Sequence, residues 1–347
     1  MMPKTQNRAV MTWLFIFAFI VGFLIVFGGF VRLTRSGLSI VEWDPITGVL
    51  PPIGEQAWEE EFAKYQESPE FQLINSTMSL DGFKKIFFIE WLHRLIARLA
   101  GLAYAIPVFY FLFRGAIPRK EFGIYVLMGL LFIGQAFMGW FMVASGLVDR
   151  PSVSHIRLTA HLLLAILLLA LSLWVALGHR FGFPIRGEKT KWSPLSRLAV
   201  VGIAVLLIQI TYGGFTAGLK AGYLSTTWPL MFGKLLPPGL FDKAINLLVL
   251  PKTVVFVHRW FAFVALFTIG GIYLVARKRG YGRDIANGIL GVLILGCVQI
   301  VFGIFVVLFQ VQISLALIHQ AIAVLLFSLT VYTFHRLRAL DLKNLQT

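Results

Sequence analysis

The sequence predicts an all-α integral membrane protein, with eight transmembrane helices arranged as two four-helix bundles related by a pseudo-twofold axis. Three observations carry that prediction. Hydrophobic residues make up 58% of the 347 and charged residues only 14%, with a mean hydropathy of +0.81; a soluble domain carries roughly 25% charged residues. Eight runs reach the roughly 20 apolar residues that a bilayer span requires. The last four runs then repeat residues of the first four at nearly constant offsets.

The spans are expected at about 11–31, 86–112, 121–145, 155–177, 197–218, 252–276, 285–309 and 313–334. The first is too long for a signal segment and lacks a small-residue cleavage pattern. No Arg- and Ser-rich transit segment precedes it, which favours a bacterial inner membrane over an organelle. The loop between the first two spans, 32–85, carries Glu55, Glu59, Glu60 and Glu61. It reads as a folded or partly helical cap on the outer face.

Placing the N-terminus inside makes segments 1–10, 114–121, 178–197, 277–284 and 335–347 the inner ones. They hold 17 Lys and Arg against 4 acidic residues, and the rest of the chain holds 14 against 12. That excess of inner positive charge puts both termini in the cytoplasm. It also accounts for the net charge of +15. No basic patch interleaved with aromatics stands apart from it, so nucleic acid is excluded as a partner and the lipid bilayer takes its place. Cys297 is the single cysteine and lies mid-span, so neither a disulfide nor a cysteine metal site is available.

The repeat sets the domain organisation. Gly28, Gly29, Phe30, Gly37, Trp43 and Pro52 recur 185 residues on as Gly213, Gly214, Phe215, Gly222, Trp228 and Pro237. His93, Arg94, Ala97 and Ala100 recur 165 residues on as His258, Arg259, Ala262 and Ala265. Gln135, Gly139, Phe141 and Val143 recur as Gln299, Gly303, Phe305 and Val307, and His161 recurs as His319. The halves are 1–177 and 178–347. Each has four spans, an even number, so both enter the membrane the same way, as parallel repeats do. The drop in offset makes the first outer loop about 20 residues longer than its twin.

Seven histidines are present. His179 and His335 fall in inner basic segments and read as ordinary surface residues; His155 lies at the outer mouth of the fourth span. His93, His161, His258 and His319 sit one on each even-numbered span, about 10 Å in from its outer end by helix rise. A single intramembrane histidine can serve as a hydrogen bond between helices. Four at one depth, two per half, point to a shared ligand role, because ionisable groups inside a membrane are costly. Zinc takes four protein ligands, or three and a water, which two histidines per half do not supply. Haem iron takes two axial ligands, and four-helix bundles build such sites in their cores. His93 with His161, and His258 with His319, are therefore the expected haem ligands and metal-binding residues.

Arg94, Arg98 and Arg259 suit haem propionates, since a guanidinium fork matches a carboxylate. For Arg94 an ion pair with Glu90, four residues earlier, is the alternative. The two halves differ at Glu90, three residues before His93, whose counterpart before His258 is Val255. A carboxylate beside a buried cofactor can act as acid or base, which makes Glu90 the expected catalytic residue. The residues alone lead to a two-haem membrane redox protein with a carboxylate at one haem.

The stretches RLTRSGLSIVEWDPITGVLPP (32–52), FFIEWLHRLIARLAG (87–101), VSHIRLTAHLLLA (153–165), GGFTAGLKAG with TTWPLM (213–231), FVHRWFAF (256–263) and LIHQAIAVLLF (317–327) together resemble the heme A synthase family. The resemblance runs from the first span to the last. It implies an oxidoreductase that converts a methyl group of haem O, the substrate, to the formyl group of haem A, the product, by two hydroxylations and a dehydration. It implies a substrate site in the N-terminal half and a haem B in the C-terminal half that relays electrons to an external acceptor. Glu90 matches the family's essential carboxylate, and the four histidines match its axial ligands. Haem O synthase and terminal oxidase assembly factors are the partners so implied. The lack of external cysteine pairs matches the proteobacterial and mitochondrial type. Lys220, Thr226 and Ala97 depart from the family's usual acid, Asn and Gly. The rival readings are a bis-histidine di-haem electron carrier of the cytochrome b kind and a haem transporter or chaperone, neither of which needs a carboxylate beside a ligand.

Overall fold

The structure is a computed structural model that describes residues 7–44, 47–148, 151–182 and 192–343. Among the described residues the regular structure is helical, with no β-strand and a single isolated bridge between Met231 and Lys234. Eight helices are long and apolar enough to cross a membrane. They are α1 (Arg8–Leu33), α3 (Leu80–Phe113), α4 (Phe122–Ala144), α5 (His155–Phe181), α6 (Pro194–Gly218), α8 (Pro251–Lys278), α9 (Arg283–Leu308) and α10 (Ile313–Lys343). Two more, α2 (Glu55–Gln66) and the short α7 (Asn246–Val249), lie in the long connections between spans.

Local chemistry marks several helix starts. The Asn7 side chain accepts from the amides of Ala9 and Val10 and caps α1. Ser79 and Ser193 cap α3 and α6 in the same way, satisfying amides that have no partner within the helix. Pro194 and Pro251 stand at first helical positions, where a missing N–H costs nothing. Gly182, with φ of 94°, ends α5 in a conformation that suits glycine.

In the first half α1 packs on α3 and α5, and α4 packs on α5; in the second, α6 packs on α8 and α9 on α10. Helices α5 and α6, α5 and α10, and α1 and α10 meet between the halves. The amide of Gln320 on α10 donates to the Ile25 carbonyl of α1 at 2.7 Å, a direct tie across that seam. Large apolar side chains such as Phe19, Phe113 and Phe267 point outward, as expected of helices solvated by lipid rather than water.

The first outer loop is folded. Helix α2 lays Trp58 and Tyr65 against Phe83 and Phe87 of α3 to form a small separate core. Helix α3 therefore begins six residues before the expected edge at 86, and its opening turns belong to the cap. Lys64 pairs with Glu42 and Glu61 at 2.8 Å each and ties α2 to the preceding strand.

The expectation for His179 and His335 is corrected: both are buried, at 1% and 0% exposed. Helices α5 and α10 pack together toward their C-terminal ends. There His179 bonds the Tyr125 hydroxyl at 2.7 Å, and His335 lies edge-on to Trp174. Asp341 accepts from Ser196 Oγ at 2.6 Å and from Arg338 at 2.7 Å, joining the end of α10 to the start of α6.

Candidate functional site

The four histidines lie on α3, α5, α8 and α10, half-buried within the helix assembly. His161, His258 and His319 stand six, seven and six residues into their helices. His258 and His319 face each other with ring centroids 6.5 Å apart and ring planes at 88°. Two facing imidazoles are a donor set that would suit the iron of a porphyrin, which takes two protein ligands. His93 and His161 lie within each other's electrostatic range in the first half. Among the described residues, no group of three His, Cys, Asp or Glu is placed to hold a metal ion. A porphyrin iron needs only two protein ligands, and two per half are present.

Each histidine faces a glycine on the spanning helix that precedes its own. A Cβ added to Gly139, Gly213 or Gly303 would come within 3.0–3.2 Å of Cε1 of His161, His258 or His319, and one on Gly28 would come within 3.3 Å of His93 Nε2. Any larger residue would push the ring away, so glycine sets how closely the helices approach. Main-chain groups of the residue one turn earlier also face these rings, from Leu24, Gln135, Gln209 and Gln299. Nδ1 of His161 and of His319 stops short of a formed hydrogen bond, as do the amide oxygens of the three glutamines. Two imidazoles per half, within the helix assembly, are the donor set that a porphyrin iron would take.

Glu90 is 3% exposed and receives five hydrogen bonds. Oε2 accepts from the Ser39 amide at 2.9 Å, the Ser39 hydroxyl at 2.7 Å and the Ile40 amide at 3.0 Å. Oε1 accepts from Nε and Nη2 of Arg94 at 3.1 and 2.7 Å. The alternative kept open for Arg94, an ion pair with Glu90, is thus formed at 2.7 Å. Through these bonds Glu90 joins the first outer loop to α3.

The arginines are engaged by the loops. Arg94 donates to the carbonyls of Ile40 and Glu42, and Arg98 to that of Asp44. Arg259 donates to the carbonyls of Ser225 and Thr227 at 2.8 and 3.1 Å. Residues 225 and 227 are 40 and 42 carried forward by the repeat, so Arg94 and Arg259 grip the same two places in their loops. Nε of Arg259 is buried without a bond.

Sequence reasoning missed Ser39, whose amide and hydroxyl both hold Glu90, and Glu70, a 4% exposed residue just beyond α2. A serine 51 residues away gives no local signal, and Glu70 sits in an acidic stretch that reads as solvated. Burial, and then the charge of Glu90, push the Glu70 carboxyl up to about 7, against the opposing pull of Lys220, Arg35 and a bond from Tyr65. Its folded value lies above its unfolded one, so the folded cap binds the extra proton. Stability is therefore highest below about pH 4.5 and is lost as pH rises toward 7. Replacing Glu70 with Gln is expected to flatten this dependence. Trp58 fluorescence during thermal unfolding, followed from about pH 5 to about pH 8, measures it.

The family model COX15-CtaA, described as cytochrome oxidase assembly protein, matches residues 11–331. The chain is similar to the heme A synthase of Maricaulis maris, 42% identical over 344 residues that cover 93% of this chain and 94% of that one. It is 41% identical to the heme A synthase of Rhodospirillum centenum over 336 residues, covering 95% and 89%. It is 38% identical to that of Flavobacterium johnsoniae over 341 residues, covering 96% and 99%.

Proposed function

The chain belongs to the COX15-CtaA family of cytochrome oxidase assembly proteins, and on that premise we propose that it is a heme A synthase, an oxidoreductase that converts the methyl group of haem O to the formyl group of haem A. The observation that carries the reading is the pairing of two bis-histidine sites with a carboxylate at only one of them.

In this reading the N-terminal half holds the substrate between His93 and His161. His258 and His319 hold haem B, which when bound supplies a one-electron relay to an external acceptor. Gly213 and Gly303 let those two rings approach their neighbouring helices. Glu90 is the acid or base beside the substrate porphyrin, and its bonds to Ser39 and Ile40 seat the segment from Ser39 to Asp44 on α3, next to the cap built on α2. Arg94, Arg98 and Arg259 act on the porphyrins at one remove: they hold the loop strands in place, and their charge opposes that of the porphyrin carboxylates. The same reading places the chain in a bacterial inner membrane with both termini in the cytoplasm. Its expected partners are a haem O synthase that delivers substrate and factors that build a terminal oxidase.

Extracting the porphyrins from the purified protein and weighing them tests the proposal. Haem O or haem A beside haem B is the expected result. Haem B alone would overturn it in favour of a di-haem electron carrier.

A further inference from the structure

The arginines around the four histidines are not used alike. Arg94 donates to the carbonyls of Ile40 and Glu42, Arg98 to that of Asp44, Arg157 to that of Phe141, and Arg259 to those of Ser225 and Thr227. Each of these guanidiniums is turned onto main-chain oxygens. Arg32, in the last turn of α1, is different. It is half-buried, and among the described residues it forms no hydrogen bond and no ion pair. The groups within its electrostatic range are the Tyr223 hydroxyl and the Lys220 ammonium, both just beyond the end of α6, and neither is a carboxylate.

The helix fixes where Arg32 stands. It lies four residues after Gly28, and residues four apart share a helix face. Gly28 is the residue that faces His93, with an added Cβ 3.3 Å from Nε2. Four residues of rise place Arg32 about 6 Å further along α1, toward the end that leads into the cap. Gly29, the next residue, meets Gln320 of α10. The face that carries Gly28 and Arg32 therefore looks onto α3 and the seam between the halves. A guanidinium without an acid stands one turn to the cap side of a ligand histidine.

The repeat supplies the contrast. The residue 185 after Arg32 is Ala217, four after Gly213, which faces His258. The second site has no cation at that position. A cation set partly inside protein without an acid is unfavourable, and a porphyrin carries the groups that would meet it, two propionates on one edge of the macrocycle. A guanidinium takes a carboxylate through two parallel N–H donors.

We propose that Arg32 is a binding residue for the substrate porphyrin: its guanidinium takes a propionate of the porphyrin held at His93, a subsite that the second half lacks. The inference rests on the assignment of the N-terminal half as the substrate site under Proposed function. It moves the carboxylate contact from the arginines that follow the histidines to one on α1.

The test uses the full chain in lipid nanodiscs, purified from cells that make haem B but no haem O. Haem O is titrated in as the free acid and as its dimethyl ester, and the bound porphyrins are extracted and weighed. The parent chain is expected to bind the acid about 10–100-fold more tightly than the ester, the scale of a hydrogen bond to a charged group. Arg32→Met keeps the length of the side chain without its charge. It is expected to bind both forms as weakly as the parent binds the ester, and to keep its full haem B. Arg32→Gln, a second neutral replacement, is expected to behave in the same way and carries the comparison if Arg32→Met fails to hold haem B. Equal binding of acid and ester by the parent overturns the inference. So does a neutral variant that keeps the parent's preference, or one that loses affinity for both forms by the same factor, which would mean that the side chain only packs. A parent chain that takes up neither form of haem O overturns the assignment beneath it instead, so the two failures are told apart.

Discussion

Replacing Glu90 with Ala is expected to leave both porphyrins on the protein and to cut formyl production at least about a hundredfold, the scale at which removing a preorganised electrostatic group slows an enzyme. The geometry sets this expectation. Glu90 collects the amides of Ser39 and Ile40, the Ser39 hydroxyl and two nitrogens of Arg94. Removing it leaves those donors without an acceptor in a buried setting, at about 1–3 kcal/mol for each that finds no other. The strand from Ser39 to Asp44 then loses its seat, and Arg94 loses the anion that aims it. His93 is fixed by the backbone of α3 and keeps its ligand position. Glu90→Gln preserves the volume and one acceptor oxygen, so it is expected to fall between Ala and the parent. The measurement is the ratio of haem A to haem O extracted from membranes that contain each variant. Parental production by Glu90→Ala would remove Glu90 from the mechanism.

Replacing His319 with Ala is expected to reduce the porphyrin content from two per chain to one, with the haem B fraction lost and formyl production abolished. The ring of His319 lies 6.5 Å from that of His258, and the two make a pair that neither can replace alone. The Ala variant also removes the partner of Gln299. Added imidazole is expected to restore part of the haem B, because the space vacated by the side chain admits the free ligand. Absorbance and extracted mass measure the content. Retention of haem B at the parental level would show that the C-terminal pair is not its ligand set.

The eight spans were legible because hydropathy depends on composition over about 20 residues and tolerates changes of detail. The start of α3 was not, because Lys84 and Lys85 lower the local hydropathy where Phe83 and Phe87 turn inward to the cap. His179 and His335 misled for a related reason: basic neighbours suggest a surface, but His179 is buried against Tyr125 of α4 and His335 against Trp174 of α5. In the candidate site, the ion pair of Glu90 with Arg94 was legible from their spacing of four. The loop residues they touch were not, since Ser39, Ile40 and Glu42 reach them from about 50 residues away along an irregular segment with no period to read.

The arginine grips have a consequence for what can be altered. Both loops run in step from the spanning helix as far as Pro52 and Pro237, and Arg94 and Arg259 hold them at matching carbonyls. The roughly 20 surplus residues of the first loop therefore enter only after that held portion and before the Ser79 cap of α3. Helix α2 is an addendum hung between two fixed points on an otherwise doubled frame. That makes its connection to the strand a natural insertion point for a reporter domain on the outer face, where extra length would not shift the register of either histidine pair.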